Sequence, residues 1–439
     1  MQTAEGPLTD YVISQRWFGS KSQDVAEVRV LESVPLDEGF QIAIVEVAFH
    51  PGTHELYQVP MRSGDIADAL ADPEFARAVA RRMDDGADVE TEHGVVEFRR
   101  AGEPIGEVRD VRPMGAEQSN SSLVLDDRIA LKAYRRLGAG PNPELEVLRF
   151  LTERRFEHIA ALRGWYGHTG RLIDATLGIA QEFVPGSVDG WDLALQDLRI
   201  DPQGFVEKAR ELGDVTGKLH TALASDASDP AFAPEETSAE SLGLLTATVD
   251  EEIEQVFLDL PDNLDELAPI RGRGQEVRER LSLLTTVGSA GRIIRHHGDY
   301  HLGQVLRGAD GRWVVLDFEG EPARSLVERR RKRSPLRDVA GMLRSFAYAA
   351  SASRILHDVH PPEGWEESVR AAFLEGYLAT VDTRLLPPGT AAIERLIAVF
   401  ELEKAVYELR YELDNRPDWA SIPVAGIARL LELEEEQAT

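Results

Sequence analysis

Apolar residues fall in short alternating runs along the first third of the chain and in helical repeats along most of the rest. Segments 27–33 and 40–48 are rich in Val and Ile and predict strands, and 65–83 has the 3.6-residue apolar repeat of an amphipathic helix. A second module opens near Val95 with strands in GVVEFRRAG, EVRDVRPMG, SSLVLDD and RIALKAYRR, the last two joined by a hairpin turn at Asp126-Asp127. Asn142-Pro143 then starts a helix over PELEVLRFLTERR, with proline at the first helical turn. The stretch 172–184 predicts another hairpin-like pair. From about 190 onward the pattern is mainly helical, broken by the polar, Pro-containing loop 225–241 and by short strands at 293–318.

The expected fold class is therefore α+β. A β-rich N-lobe (91–185) precedes a mainly helical C-lobe (186–439), and an α/β subdomain (1–90) comes first. A cleft between unequal lobes is a common place for a small ligand. Composition narrows the partners. The 439 residues carry 77 acids against 48 bases, a formal charge of −29, which repels phosphate backbones and anionic lipid, so no nucleic acid and no membrane is expected. The absence of cysteine excludes disulfides and thiol catalysis and suits a reducing cytoplasm. The N-terminus lacks the basic and apolar regions of a signal peptide, and no apolar run is long enough to span a bilayer. A cytoplasmic location is expected.

Chemistry concentrates in HHGDYHLGQVL (296–306) and WVVLDFEGEP (313–322). In a kinase catalytic loop an Asp accepts the proton of the attacking hydroxyl, and an amide five residues later holds magnesium. Asp299 and Gln304 have that spacing, with Gln where Asn is usual. A hairpin turned at Gly308–Gly311 returns the chain to Asp317, in Asp-Phe-Glu rather than Asp-Phe-Gly. Asp317 is expected to bridge magnesium to phosphates, and Glu319 to add an oxygen ligand. His297 is expected to orient the loop, and Asp338 to brace it. His301 is left between backbone support and sugar contact.

The chain resembles the bacterial maltokinase family, sugar kinases of the aminoglycoside-phosphotransferase and protein-kinase type. The resemblance runs nearly end to end, through QRWFGSK (15–21), GAEQSNSSLVL (115–125), LKAYRR (131–136), NPELEVLRFL (142–151), QEFV (181–184), HHGDYHLGQVL, DFEGEP and LEKAVYELRYELDNRPDW (402–419). It implies a bilobal protein-kinase-like fold, ATP and Mg2+ as cofactors, and maltose 1-phosphate as product, feeding α-glucan (glycogen) synthesis. It also implies an acceptor site on the 402–413 helix.

On the nucleotide side, Lys132 in the apolar strand IALKAY is expected to pair the α/β-phosphates, with Glu146 as first choice to hold it and Glu144 as second. The loop Gly115–Ser122 is neither G-x-G-x-x-G nor a Walker loop, and offers Gln118, Ser119, Asn120 and Ser121 to phosphates instead. Backbone groups of Glu182 and Val184 are expected to face adenine. On the acceptor side, helical spacing puts Leu402, Val406, Leu409 and Leu413 on a core stripe and Lys404, Tyr407, Glu408 and Tyr411 on the opposite one. Two tyrosines beside a lysine and a glutamate suit a neutral sugar, and Trp419 offers another aromatic platform.

Trp17 and Phe18 read as packing residues. The basic run 328–338 reads as a solvated loop paired with acids, or as a docking segment. Two other functions stay open at this point. One is a glucosamine or other monosaccharide kinase of the same fold. The other is a pseudokinase-like regulatory partner of a trehalose-converting enzyme. Residues 1–90 fit a stiffening cap or a docking surface.

Overall fold

A computed structural model describes residues 5–50, 52–115, 120–237, 239–261, 264–282, 290–322 and 324–432. The chain divides into two compact units, Met1–Gly186 with Arg324–Glu328, and Ser187–Ala323 with Arg329–Thr439.

In chain order the first unit runs α1 (Glu5–Ser14), β1 (Val25–Pro35), β2 (Phe40–Phe49), β3 (His54–Arg62), α2 (Pro73–Asp85), β4 (Asp88–Glu90), β5 (Gly94–Arg100), β6 (Val111–Pro113), β7 (Asn120–Leu125), β8 (Ile129–Tyr134), β9 (Arg136–Leu137), α3 (Pro143–Glu153), β10 (Leu162–Gly170) and β11 (Ala175–Glu182). They build two sheets, ordered β1-β2-β3-β9 and β4-β5-β10-β11-β8-β7-β6. Strand β2 shows why the first sheet is buried. Its alternate residues Ile42 and Ile44 pack into a core with Phe75, Val79, Phe98 and Tyr166. Ala43, Val45 and Val47 face the other way, into a core with Leu8, Val12, Trp17 and Phe18. Trp17 and Phe18 are thus anchors, as their residue types suggest.

Polar ties join the two sheets. Gln58, fully buried on β3, donates to the Tyr134 carbonyl at 2.8 Å and accepts from the Tyr166 hydroxyl at 3.3 Å. Asp126 and Asp127, both at φ +50°, make the β7–β8 turn, the left-handed geometry that a two-residue hairpin loop needs. Three expectations are corrected. Helix α2 starts at Pro73 rather than 65, because Asp72 caps the Glu74 amide at 3.0 Å. β11 pairs with β10 (162–170) rather than folding on itself within 172–184. β3 was not foreseen.

The second unit runs β12 (Val188–Asp189), α4 (Gly190–Ile200), α5 (Pro202–Leu223), β13 (Glu235–Glu236), α6 (Ala239–Leu258), α7 (Gly274–Ser282), β14 (Arg292–Ile293), β15 (Val305–Arg307) and β16 (Trp313–Val315). The single turn α8 (Leu326–Arg329) falls mostly in the first unit. Then come α9 (Leu336–His357), α10 (Trp365–Thr380), α11 (Thr390–Asn415) and α12 (Ser421–Glu432). Helix α9 is the central element, buried over most of its length and packed against α4, α10, α11 and α12. The β15–β16 hairpin turns through Gly308–Gly311, where expected. Among the described residues no helix is long and apolar enough to cross a membrane.

Candidate active site

In the first unit, Lys132 on β8 holds its ammonium 2.8 Å from the Glu144 carboxylate. The Tyr134 hydroxyl donates to the same oxygen at 2.7 Å. Glu144 sits at the start of α3 and is 1% exposed, so the pair is largely sheltered from water. Glu144, the second choice for this role after Glu146, is thus a partner of Lys132, and its amide is held by the Asn142 cap.

Ser121 lies within β7, is 2% exposed, and its hydroxyl accepts from Arg135 Nε at 2.8 Å. Gln118 and Ser119 lie outside the described residues. Glu182 ends β11, its amide donates to the Ala161 carbonyl at 2.9 Å and its carboxylate accepts from Arg163 at 2.6 Å. Val184 follows directly beyond the strand.

In the second unit, the segment 296–320 is framed by buried hydrogen bonds. Asp338, at the start of α9, accepts from the His297 amide at 2.8 Å and the Gly298 amide at 2.9 Å. His220 on α5 adds a contact at 3.1 Å. Burial works against the Asp338 carboxylate, but His296, His220 and His297 outweigh it and hold its pKa well below the ordinary range. His297 Nε2 meets the Leu316 carbonyl at 2.8 Å, and its Nδ1 accepts from the Asp299 amide at 3.4 Å. Both contacts suit the neutral Nε2–H tautomer. His297 thus ties the 297–304 loop to the strand end that carries Asp317.

Gly298 takes φ +89°, and a Cβ there would lie 3.3 Å from the Gly320 Cα, so the two segments approach backbone to backbone. Asp317 itself takes φ +58°, a strained conformation for a non-glycine residue of the kind that clusters at functional sites. Gln304 Nε2 donates to Asp317 Oδ2 at 3.2 Å. Gln304, Asp317 and Glu319 offer amide and carboxylate oxygens, the hard donor set that fits magnesium. Glu319 also lies 3.8 Å from Arg329 Nη1. His301 lends backbone support. Its Nδ1 accepts from the Gly303 amide at 3.1 Å, and its Nε2 lies 4.0 Å from Asp299 Oδ2.

Helix α11 brings its polar stripe to the same loop. Lys404 Nζ lies 3.4 Å from Asp299 Oδ1 and 3.6 Å from Glu321 Oε1. Burial disfavours its charge, but Asp299, Glu321 and Glu408 prevail and raise its pKa. Leu402, Val406 and Leu409 are buried on the opposite stripe, as their spacing requires. Tyr407 is exposed beside Lys404, at 5.3 Å from ring centre to ammonium. Glu408 accepts from buried Arg344. Tyr411 and Trp419 are farther along, both against the Arg416 guanidinium, at 5.6 and 4.8 Å.

Sequence reasoning missed Glu321 and Arg344 here. Glu321 had a signal, a third acid in DFEGEP. Arg344 had none, because one arginine in an apolar helix carries no spacing information. Two residues of the basic run are paired. Arg337 bonds Glu403, and Lys332 meets the Pro230 carbonyl and Glu235.

Comparison with known proteins adds to this geometry. Residues 11–81 match the family described as "Maltokinase N-terminal cap domain". The chain is 26% identical over 370 residues to a glucosamine kinase of Streptacidiphilus jiangxiensis, covering 81% of this chain and 79% of that one. It is 27% identical over 338 residues to a glucosamine kinase of Mycolicibacterium smegmatis, covering 74% and 80%. A solved glucosamine kinase superposes with a TM-score of 0.76 at 19% identity, over 96% of this chain and 99% of that one. Another, in complex with glucosamine, ADP and inorganic phosphate, gives 0.75 at 20% identity over 96% and 98%. The fold is shared with these kinases, and it is the α+β architecture expected from the residue pattern.

Proposed function

We propose that the protein is an ATP-dependent sugar kinase that phosphorylates the anomeric hydroxyl of maltose. In this reading Asp299 accepts the hydroxyl proton as the sugar oxygen attacks the γ-phosphorus. The bond from that phosphorus to the β–γ bridging oxygen breaks, and ADP leaves. Lys132, held by Glu144, positions the nucleotide, and Glu182 and Val184 offer backbone groups to its base. Gln304, Asp317 and Glu319 would hold magnesium, which when bound neutralises charge on the phosphates. Catalysis of this kind rests on placement and electrostatics.

The observation that carries the choice of acceptor is Lys404, 3.4 Å from Asp299 and 3.6 Å from Glu321. An ammonium there compensates two carboxylates and repels the ammonium of an aminosugar. A neutral sugar instead meets a lysine donor, the Glu408 acceptor and the exposed Tyr407 ring. The cap-domain match over 11–81 supports a kinase of this family. The second reading, a glucosamine kinase, is favoured by the two relatives at 26% and 27% identity.

An assay of ADP release over maltose, glucose and glucosamine, with the product's phosphate located by phosphorus NMR, separates them. Maltose should turn over fastest and carry phosphate on the anomeric oxygen. Faster turnover of glucosamine would establish the second reading, and transfer to none of the three would defeat both.

A further inference from the structure

The buried guanidinium of Arg344 has no part in the transfer itself. It sits on α9, is 1% exposed, and gives two N–H groups to one oxygen of Glu408, Nε at 3.0 Å and Nη2 at 2.6 Å. Both bonds converge on Oε2. Oε1 of Glu408 accepts no hydrogen bond among the described residues, and it is not sealed from solvent. Glu408 lies one helical turn from Lys404, within electrostatic reach of its ammonium.

A buried ion pair is weak evidence of stabilisation, since well-packed apolar side chains often do as well. What the rigid fork of an arginine supplies is geometry. The same helix also fixes the catalytic loop, through Asp338 and through Ser345, whose hydroxyl accepts from the Leu302 amide at 2.9 Å. Helix α9 therefore sets the distance from the loop bearing Asp299 to the acceptor carboxylate.

We infer that Arg344 is a positioning residue for the acceptor sugar. It holds Glu408 by one oxygen and leaves the other turned out to receive a sugar hydroxyl. The inference rests on the sugar-kinase reading and adds to it the group that orients the acceptor. Gly426 on α12 belongs to the same device. A Cβ there would fall on the Arg344 guanidinium, so the arginine reaches Glu408 only because that position has no side chain.

Steady-state kinetics of the full chain test this. Arg344→Met should raise the KM for maltose about tenfold, the loss of one hydrogen bond to a charged group, and leave the KM for ATP within about twofold. Arg344 also counters the burial that raises the Glu408 pKa. Without it Glu408 holds its proton to higher pH, so the maltose KM of Arg344→Met should fall again as pH rises, over a range higher in pH than any such change in the wild type. Arg344→Lys should restore part of the loss. Gly426→Ala, which leaves both Arg344 and Glu408 in the sequence, should raise the maltose KM in the same direction. A maltose KM within about twofold of wild type in Arg344→Met or in Gly426→Ala, with cooperative melting retained, overturns the inference. If the wild-type chain phosphorylates no sugar, the kinase reading fails first, and this falls with it.

Discussion

Two lysines of this molecule are held in opposite ways. Lys132 is locked, 2.8 Å from a carboxylate that is 1% exposed and already bonded to a tyrosine hydroxyl. Lys404 is shared, at 3.4 and 3.6 Å from two carboxylates that keep 23% and 19% of their surface in water. A cation in the first setting is held close to a carboxylate that water barely reaches. A cation in the second can trade one carboxylate for a ligand hydroxyl at little cost, because water already competes there. The first arrangement suits a group that must hold a phosphate in one place. The second suits a group that meets an acceptor which comes and goes.

Substitutions sharpen that contrast. Lys132→Met should lower kcat/KM by at least about a hundredfold, the usual loss when a preorganised charge is removed from a transfer site, measured at saturating sugar. Glu144→Gln keeps the shape and frees the lysine. It should lower kcat by about tenfold through misplacement, with the sugar KM unchanged in the same assay. Lys404→Met should act on the other side, raising the sugar KM about tenfold with the ATP KM unmoved. A common loss in both KM values for Lys404→Met would erase the distinction between the two lysines.

The smallest effect concerns the frame behind Asp299. Burial keeps His296 neutral and lowers its pKa to about 4. An unfolded chain binds that proton near the ordinary value of about 6.5, so the unfolded state gains protons first as pH falls. Melting temperature should therefore decline from about pH 6.5 towards 4, and His296→Gln should flatten that slope when melting is followed across the same range.

Much of this was legible in the residues, for reasons that differ by place. The grouping of segment 296–320 was readable because two acids, an amide and a histidine at fixed spacing leave few alternatives, and helix α11 because at 100° per residue its apolar and polar stripes fall on opposite sides. The Asp126-Asp127 turn followed from local chemistry alone. Strand β10 was hidden because Gly164, Gly167 and Gly170 give it little strand propensity, and only its place amid β5 and β11 settles it. Glu144 ranked after Glu146 because the start of α3 at Asn142-Pro143 does not by itself show which face meets β8. Ser121 belonged both to the predicted strand SSLVLDD and to the loop Gly115–Ser122, and nothing in the sequence shows that Arg135 turns inward to bond it. Glu321 and Arg344 are assigned by contacts that only the folded chain makes.

The account depends most on Asp299 as the group that takes the acceptor's proton. A single-turnover experiment with ATP and maltose, comparing the wild-type chain with Asp299→Asn and monitoring nucleotide binding alongside, tests it directly. The variant should bind ATP as the wild type does and transfer phosphate at least about a hundredfold more slowly, the range for a lost general base. Transfer at a near wild-type rate, with ATP bound, would contradict the account.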